Sequence, residues 1–151
     1  MLTNIIKAST ASVTVEGDVS ITNCTFRNNT HTGNPLFLVV ATSFELHAST
    51  FTNNHGTDTS MVSITGPKLV SVDTVTIRQC EFHDILSFYD VLSVNITGLE
   101  ISESQADFNV RTLLCQQCSI ERYTSTNNII TNGGALTCST TTVNITDSLI
   151  S

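Results

Sequence analysis

A ten-residue pattern that recurs along the chain constrains its fold more than any other feature. In its clearest form, two apolar residues separated by one position precede a small residue, a Phe and a pair of asparagines, as in residues 19–29 and 44–54. Six copies begin at positions 19, 44, 75, 99, 118 and 143. The steps between copies average about 25 residues, and self-similarity at such a period predicts a solenoid.

The spacing inside one repeat indicates strands. Val19 and Ile21, like Val75 and Ile77, alternate with polar residues, which is typical of a strand with one buried face. A second apolar stretch precedes the copies, for example in residues 36–40. Each repeat therefore supplies at least two strands joined by short polar corners. Such repeats stack in parallel register about 4.8 Å apart, which predicts an all-β fold, a parallel β-helix of about six coils.

The repeat also predicts the core. Side chains at shared repeat positions should face inward in stacked rows. They are Ile21, Phe26, Leu46, Phe51, Ile77, Phe82, Ile101, Ile120, Val143 and Ile145. The composition suits a thin core of small aliphatic layers, because 40% of the residues are hydrophobic but only 6% are aromatic and none is Trp.

Several motifs resemble repeats of known proteins. Gly133-Gly-Ala-Leu136 is similar to the Gly-Gly-Ala-Ile repeat of polymorphic outer-membrane proteins, and residues 26–29 and 51–54 are similar to their Phe-x-x-Asn repeat. More broadly, the chain resembles the right-handed β-helices of the pectin-lyase-like superfamily. The resemblance implies a right-handed coil. Through the enzymes of that fold, it also raises polysaccharide lyase or glycoside hydrolase activity as an alternative.

The whole chain, residues 1–151, is predicted to be a single β-helix segment. Ile5-Ile6 fits a coil strand, and neither end carries a recognisable cap over its open strand edges. We therefore expect the segment to belong to a longer solenoid or to stack on other copies through its end coils.

The charge and composition exclude several kinds of partner. The net charge is -7 with only six Lys and Arg, whereas phosphate binding needs clustered basic residues, so nucleic acid is not expected. The longest apolar runs are too short for a membrane-spanning helix. The surface should instead be rich in hydroxyl and amide groups, since the chain has 25 Thr, 17 Ser and 13 Asn.

The sequence predicts no catalytic residue, metal or cofactor. Enzymes of this fold need convergent carboxylates or a basic catalyst. His and Asp come close together in the sequence at His55 and Asp58, in a corner loop, while the Lys and Arg residues are scattered singly. The four histidines occupy unlike repeat positions, which is not the arrangement of a metal cluster: His31, His47, His55 and His83.

The cysteines suggest packing and one possible disulfide. Cys24 and Cys80 are predicted to share a repeat position as buried thiols. The sequence separation of Cys115 and Cys138 is close to one coil, so a disulfide between neighbouring coils is possible. Cys115 and Cys118 form a C-x-x-C pair, but the second ligand pair of a zinc site is missing.

The asparagines allow two interpretations. Four are in glycosylation sequons, namely Asn23, Asn28, Asn95 and Asn144, although a chain so rich in Ser and Thr yields about this number by chance. Asn95 and Asn144 alternate with apolar neighbours and should point outward. The asparagine pairs 28–29, 53–54 and 127–128 end equivalent strands, with Asp84 replacing Asn on the third coil, and a stacked amide ladder at this corner is predicted at Asn28, Asn53 and Asn127. Asn also tolerates the left-handed backbone that a sharp corner needs.

These observations favour a non-enzymatic, structural or adhesive β-helix module of an extracellular or cell-surface protein or filament. Its expected partners are other coils or subunits of the same assembly, glycans, or surface proteins. The alternative is a glycan-processing β-helix whose catalytic coil lies outside this segment.

Overall fold

The computed structural model describes the backbone of residues 13–151, and the side chains of the same residues apart from 13–16, 41, 140 and 141. Every regular element among them is a strand. The strands are β1 (Val13–Thr22), β2 (Thr25–Arg27), β3 (Thr30–Thr32), β4 (Phe37–His47), β5 (Thr50–Thr52), β6 (His55–Thr57), β7 (Ser60–Thr65), β8 (Leu69–Arg78), β9 (Glu81–Tyr89), β10 (Ser93–Ser102), β11 (Gln105–Glu121), β12 (Thr124–Thr126), β13 (Ile129–Ile130), β14 (Leu136–Thr146) and β15 (Leu149–Ile150). The expected strand at Ile5-Ile6 lies outside the described residues.

The strands pair in parallel and wind into a solenoid, which confirms the predicted parallel β-helix. Each coil passes through four short walls. Wall A contains residues 19–22, 44–47, 70–73, 94–97, 118–121 and 143–146. Wall B contains 25–27, 50–52, 76–78, 100–102, 124–126 and 149–150. Wall C contains 30–32, 55–57, 81–83, 105–107 and 129–130. Wall D contains 13–16, 37–40, 62–65, 86–89, 110–113 and 136–139.

The coil-to-coil register is more regular than the sequence repeat. On wall A, the stacked row is Val19, Phe44, Val70, Val94, Cys118 and Val143. The sequence separation between successive residues of this row is nearly constant. Its six residues delimit about five turns of the solenoid, whereas six coils were predicted. The copies at Val75 and Leu99 were wrongly aligned: they pair with each other, next to wall B. Walls A and B both alternate apolar and polar residues, so the pattern alone does not separate them.

The corners between walls use left-handed backbone. Between walls A and B, a positive φ recurs at Asn23, Ala48, Thr74, Gly98, Arg122 and Asp147. Between walls B and C, it recurs at Asn28, Asn53, Gln79, Glu103 and Asn127. The prediction that corner asparagines adopt this backbone is confirmed. The same φ is found at Gln, Glu, Arg and Thr, so the coil geometry imposes it on residues that disfavour it.

The core is a continuous apolar column inside the four walls. Of the predicted core residues, seven are buried and Ile21 is partly buried. Phe26 and Phe51 stack with ring centroids 4.8 Å apart, and Phe37 meets both rings edge-on. The prediction was wrong for Val143 and Ile145, which are 43% and 47% exposed. Their strand β14 pairs with β11 alone among the described strands, so one side of each residue is left uncovered.

Candidate functional site

A polar groove of about 340 Å³ crosses wall C. It forms there because alternate side chains of stacked short strands point outward on successive coils. Its polar lining consists of His55, Thr57, Asp58, Glu81, His83, Gln105, Asp107, Thr131 and Asn132. The two residues that stood out in the sequence, His55 and Asp58, therefore lie beside side chains from three further coils.

The floor of the groove is apolar and closely packed. Gly56, Phe82 and Ala106 are buried and occupy equivalent positions on successive coils. A Cβ atom at Gly56 would overlap the Phe82 ring and the Thr59 methyl group. The absence of a side chain at Gly56 thus makes room for Phe82 beneath the groove.

Two histidine–carboxylate pairs link neighbouring coils along the groove. His55 Nδ1 lies 3.0 Å from Glu81 Oε2, and His83 Nδ1 lies 2.9 Å from Asp107 Oδ2. The Thr131 hydroxyl and the Asn132 amide, which is 3.1 Å away, both donate hydrogen bonds to Asp107 Oδ1. These donors, Thr131 first, and the nearby His83 lower the pKa of Asp107.

Asp84 is the buried acid behind the groove. Its side chain is only 5% exposed. Its Oδ2 accepts a 3.4 Å hydrogen bond from the Ser60 hydroxyl and lies 3.7 Å from Arg111 Nη1, whereas no hydrogen bond reaches Oδ1. Burial raises the pKa of Asp84, against the opposing influence of His83 and Arg111. His83 is thus flanked by two acids whose pKa values are shifted in opposite directions.

We expect Asp84→Asn to change stability in a pH-dependent way. Because the folded pKa of Asp84 lies above its unfolded value, its contribution to stability is greatest below the unfolded pKa and is lost as the pH rises through the folded pKa. Asn is neutral throughout, so the melting temperature of the variant relative to wild type should increase between about pH 3 and about pH 7. Thermal unfolding across this range is the measurement. Asp58→Asn, at an exposed position of the same groove, is the matched charge control, and a constant Asp84→Asn difference would contradict the expectation.

In the structure, the amide ladder is formed by residues one position later in the sequence than predicted. Asn28, Asn53 and Asn127 are exposed at the corner, so the prediction that they form the ladder was wrong. The inward row is Asn29, Asn54, Cys80, Ser104 and Asn128. Asn54 Oδ1 accepts hydrogen bonds from the Asn29 backbone N–H and side-chain amide, at 3.1 and 2.8 Å. The left-handed corner residue directs its own side chain outward and the next one inward, and Asp84 is not in this row.

The cysteines are placed differently from the prediction. Cys24 shares its position with Ser49 but not with Cys80, which lies in the Asn54 row. All five cysteines are thiols. Cys138 contacts Cys118, with 3.8 Å between the two sulfurs, whereas the Cys115 thiol points to the Leu113 carbonyl. In the pairing of β11 with β14, Cys138 lies opposite Thr112 and Cys115 lies opposite Thr140, so Cys115 and Cys138 are not neighbours in the register.

All four sequon asparagines, Asn23, Asn28, Asn95 and Asn144, are exposed. Asn95 and Asn144 lie in the outward row of wall A, in register with Ser119. Their positions are compatible with modification, which stays a prediction.

Sequence reasoning missed Asp84, Asp107 and Arg111 as members of one site. The signal that could have found them is already in the copies that begin at positions 75 and 99, since His83 and Asp107 occupy the same position in these two copies and Asp84 pairs with Phe108 in the register. Among residues 13–151, no cluster of three or more potential metal ligands is found, and no helix is long and apolar enough to cross a membrane.

Comparison of the chain with known protein families, curated proteins and solved structures found no match. The parallel β-solenoid is shown by the structure itself, and the resemblance to pectin-lyase-like and polymorphic outer-membrane repeats stays a prediction.

Proposed function

We propose that this chain is a rigid, non-enzymatic structural or adhesive module of an extracellular or cell-surface protein or filament. The observation that carries the proposal is that charged side chains on the outer faces of the walls form ion pairs between neighbouring coils. His47–Asp73, His55–Glu81, His83–Asp107 and Arg78–Glu100 each join one coil to the next. Pairs repeated in this way link neighbouring coils along the walls of the solenoid. Each exposed pair contributes little stability alone, but together they favour one rigid register.

Two surfaces fit the proposed partners. The last coil exposes the apolar side chains of Val143, Ile145, Leu149 and Ile150, which would be covered by a further coil or by another subunit. The wall C groove offers hydroxyl, amide, imidazole and carboxylate groups above an apolar floor, which is a suitable surface for glycans. The exposed sequons and the scarcity of basic residues agree with a cell-surface setting.

The structural role is tested by association in solution. We expect the chain to form oligomers at tens of micromolar, and Val143→Lys with Ile145→Lys to shift it towards monomer. Ser71→Lys with Ser119→Lys, which adds the same two positive charges at outward positions of wall A, is the control. Light scattering on dilution measures the effect, and a wild-type protein that stays monomeric would count against stacking through this end.

The adhesive role is tested by binding to an array of neutral and acidic oligosaccharides. We expect retention of neutral sugars, since the net charge of -7 disfavours polyanions. A double variant, His83→Ala with Asp107→Asn, should lose most of that binding, whereas Glu45→Gln on wall A should not. Equal binding by both variants would show that the wall C groove is not the glycan-binding site.

Glycan hydrolysis in the same groove is the second candidate. It is favoured by the two acids beside His83, because a carboxyl with a raised pKa can act as an acid and one with a lowered pKa as a base or nucleophile. Incubation with polysaccharides and detection of new reducing ends tests it. The adhesive proposal expects no product above a blank. Product that is abolished by Asp84→Asn but retained by Asp58→Asn would establish the enzyme instead.

A further inference from the structure

Cys118 and Cys138 bring two sulfur atoms together inside the solenoid. Cys118 lies on wall A in β11, and Cys138 lies on wall D in β14, less than one coil further along the chain. Their Sγ atoms are 3.8 Å apart. A disulfide needs about 2.05 Å, so the two sulfur atoms must approach each other by roughly 1.8 Å to form a covalent bond.

Cys115 is close in sequence but differs in its contacts. Its sulfur lies 3.6 Å from the Leu113 carbonyl oxygen and 4.0 Å from that of Phe88. Leu114 has a φ of 56°, and this left-handed corner separates the wall D part of β11 from its wall A part. The structure therefore selects Cys118, and not Cys115, as the partner of Cys138.

The two thiols also have unequal reactivity. The two thiols share a hydrogen bond, and this contact lowers the pKa of Cys138 and raises that of Cys118, which burial raises further. Cys138 is partly exposed, while Cys118 is 2% exposed. Thiolate character and access both make Cys138 the attacking group and Cys118 the resolving group.

We propose that Cys118 and Cys138 form a reversible disulfide between β11 and β14 by exchange with a small-molecule disulfide such as oxidised glutathione. The Cys138 thiolate attacks one sulfur of the small disulfide, forming a mixed disulfide and releasing one thiolate. The Cys118 sulfur then attacks Cys138 Sγ, releasing the second small thiolate, which takes up the Cys118 proton. Two electrons pass from the protein to the small disulfide, and no other reactant is needed.

The disulfide would covalently link β14, a strand that pairs on one side only within residues 13–151, to its neighbour β11. Strand β14 pairs with β11 alone among the described strands, and its Val143 and Ile145 are exposed. A link from Cys138 to Cys118 limits the opening of β14 and closes a loop of about 20 residues in the unfolded chain, so oxidation should raise the melting temperature by about 5–10 °C. This inference does not depend on the adhesive or structural role.

Peptide mapping after equilibration with oxidised glutathione tests the proposal. Trypsin cuts after Arg111 and Arg122, so residues 112–122 and 123–151 should appear as one linked species, two hydrogens lighter than the sum of the peptides. Fragmentation within residues 112–122 should locate the bond at Cys118. Linkage at Cys115, or a glutathione adduct on Cys138 that never resolves, would overturn the inference.

Matched variants give a second readout. Cys115→Ala should keep both the linked species and the rise in melting temperature on oxidation. Cys118→Ala and Cys138→Ala should lose both, with their folding checked by far-UV circular dichroism. If Cys115→Ala abolished the response instead, the assignment of the pair would be wrong. The wild-type map decides the question even if a variant does not fold.

Discussion

Phe51→Ala is expected to lower the free energy of unfolding by about 3–5 kcal/mol, the range for removing a large buried aromatic side chain. Phe51 is fully buried. Its ring stacks on Phe26 and meets Phe37 edge-on at a centroid distance of 6.3 Å, and its backbone pairs with Ile77 on the next coil. The truncation leaves a cavity between coils that rigid parallel strands cannot close. Urea unfolding followed by circular dichroism measures the loss.

Tyr89→Ala is the control for Phe51→Ala. Tyr89 is also an aromatic residue on a strand, but it is 46% exposed, so its truncation should cost about 1 kcal/mol or less. A Phe51→Ala protein that unfolds at the same urea concentration as wild type would show that the phenylalanine stack does not hold neighbouring coils together.

The sequence predicted the fold because one wall is enough to reveal it. Alternation of apolar and polar residues identifies strands, and its recurrence identifies stacking, as the row of Val19, Phe44 and Val70 shows. The alignment failed at Val75 and Leu99 because wall B carries the same alternation as wall A. Burial decides which face points inward, but it does not distinguish two walls that both have an inward face.

The groove could not be predicted because it depends on coil register. His55 pairs with Glu81, His83 with Asp107 and Arg111 with Asp84 across coils. The overlong step between the second and third predicted copies places His55 and Glu81 at different repeat positions, so the two coils that begin the groove were not aligned. The contact between Cys118 and Cys138 was not predicted for a different reason. Cys118 and Cys138 are less than one coil apart in sequence, and they meet across the inside of the solenoid, which a repeat alignment does not represent.

Asn54→Ala is expected to cost roughly 3–5 kcal/mol, since the loss of one buried side chain leaves several polar groups without partners. Asn54 is 1% exposed. Its Oδ1 accepts hydrogen bonds from the Asn29 backbone N–H and amide, and its Nδ2 donates to the Phe26 carbonyl at 3.0 Å. Alanine satisfies none of these groups and is too small to fill the space. Chemical denaturation and native-state hydrogen exchange of the Asn29 amide both measure the loss.

Asn53→Gly is the decisive comparison, because Asn53 and Asn54 are adjacent and the sequence placed the ladder at the first of them. Asn53 is exposed with a φ of 53°, a backbone that glycine adopts without strain. Its replacement should change stability by about 0.5 kcal/mol or less, because no inward contact is lost. If Asn53→Gly cost more than Asn54→Ala, the inward amide row would be the one first predicted. The expected opposite order follows from the corner itself: a left-handed residue turns its side chain out of the coil and leaves the next residue to bind the coils together.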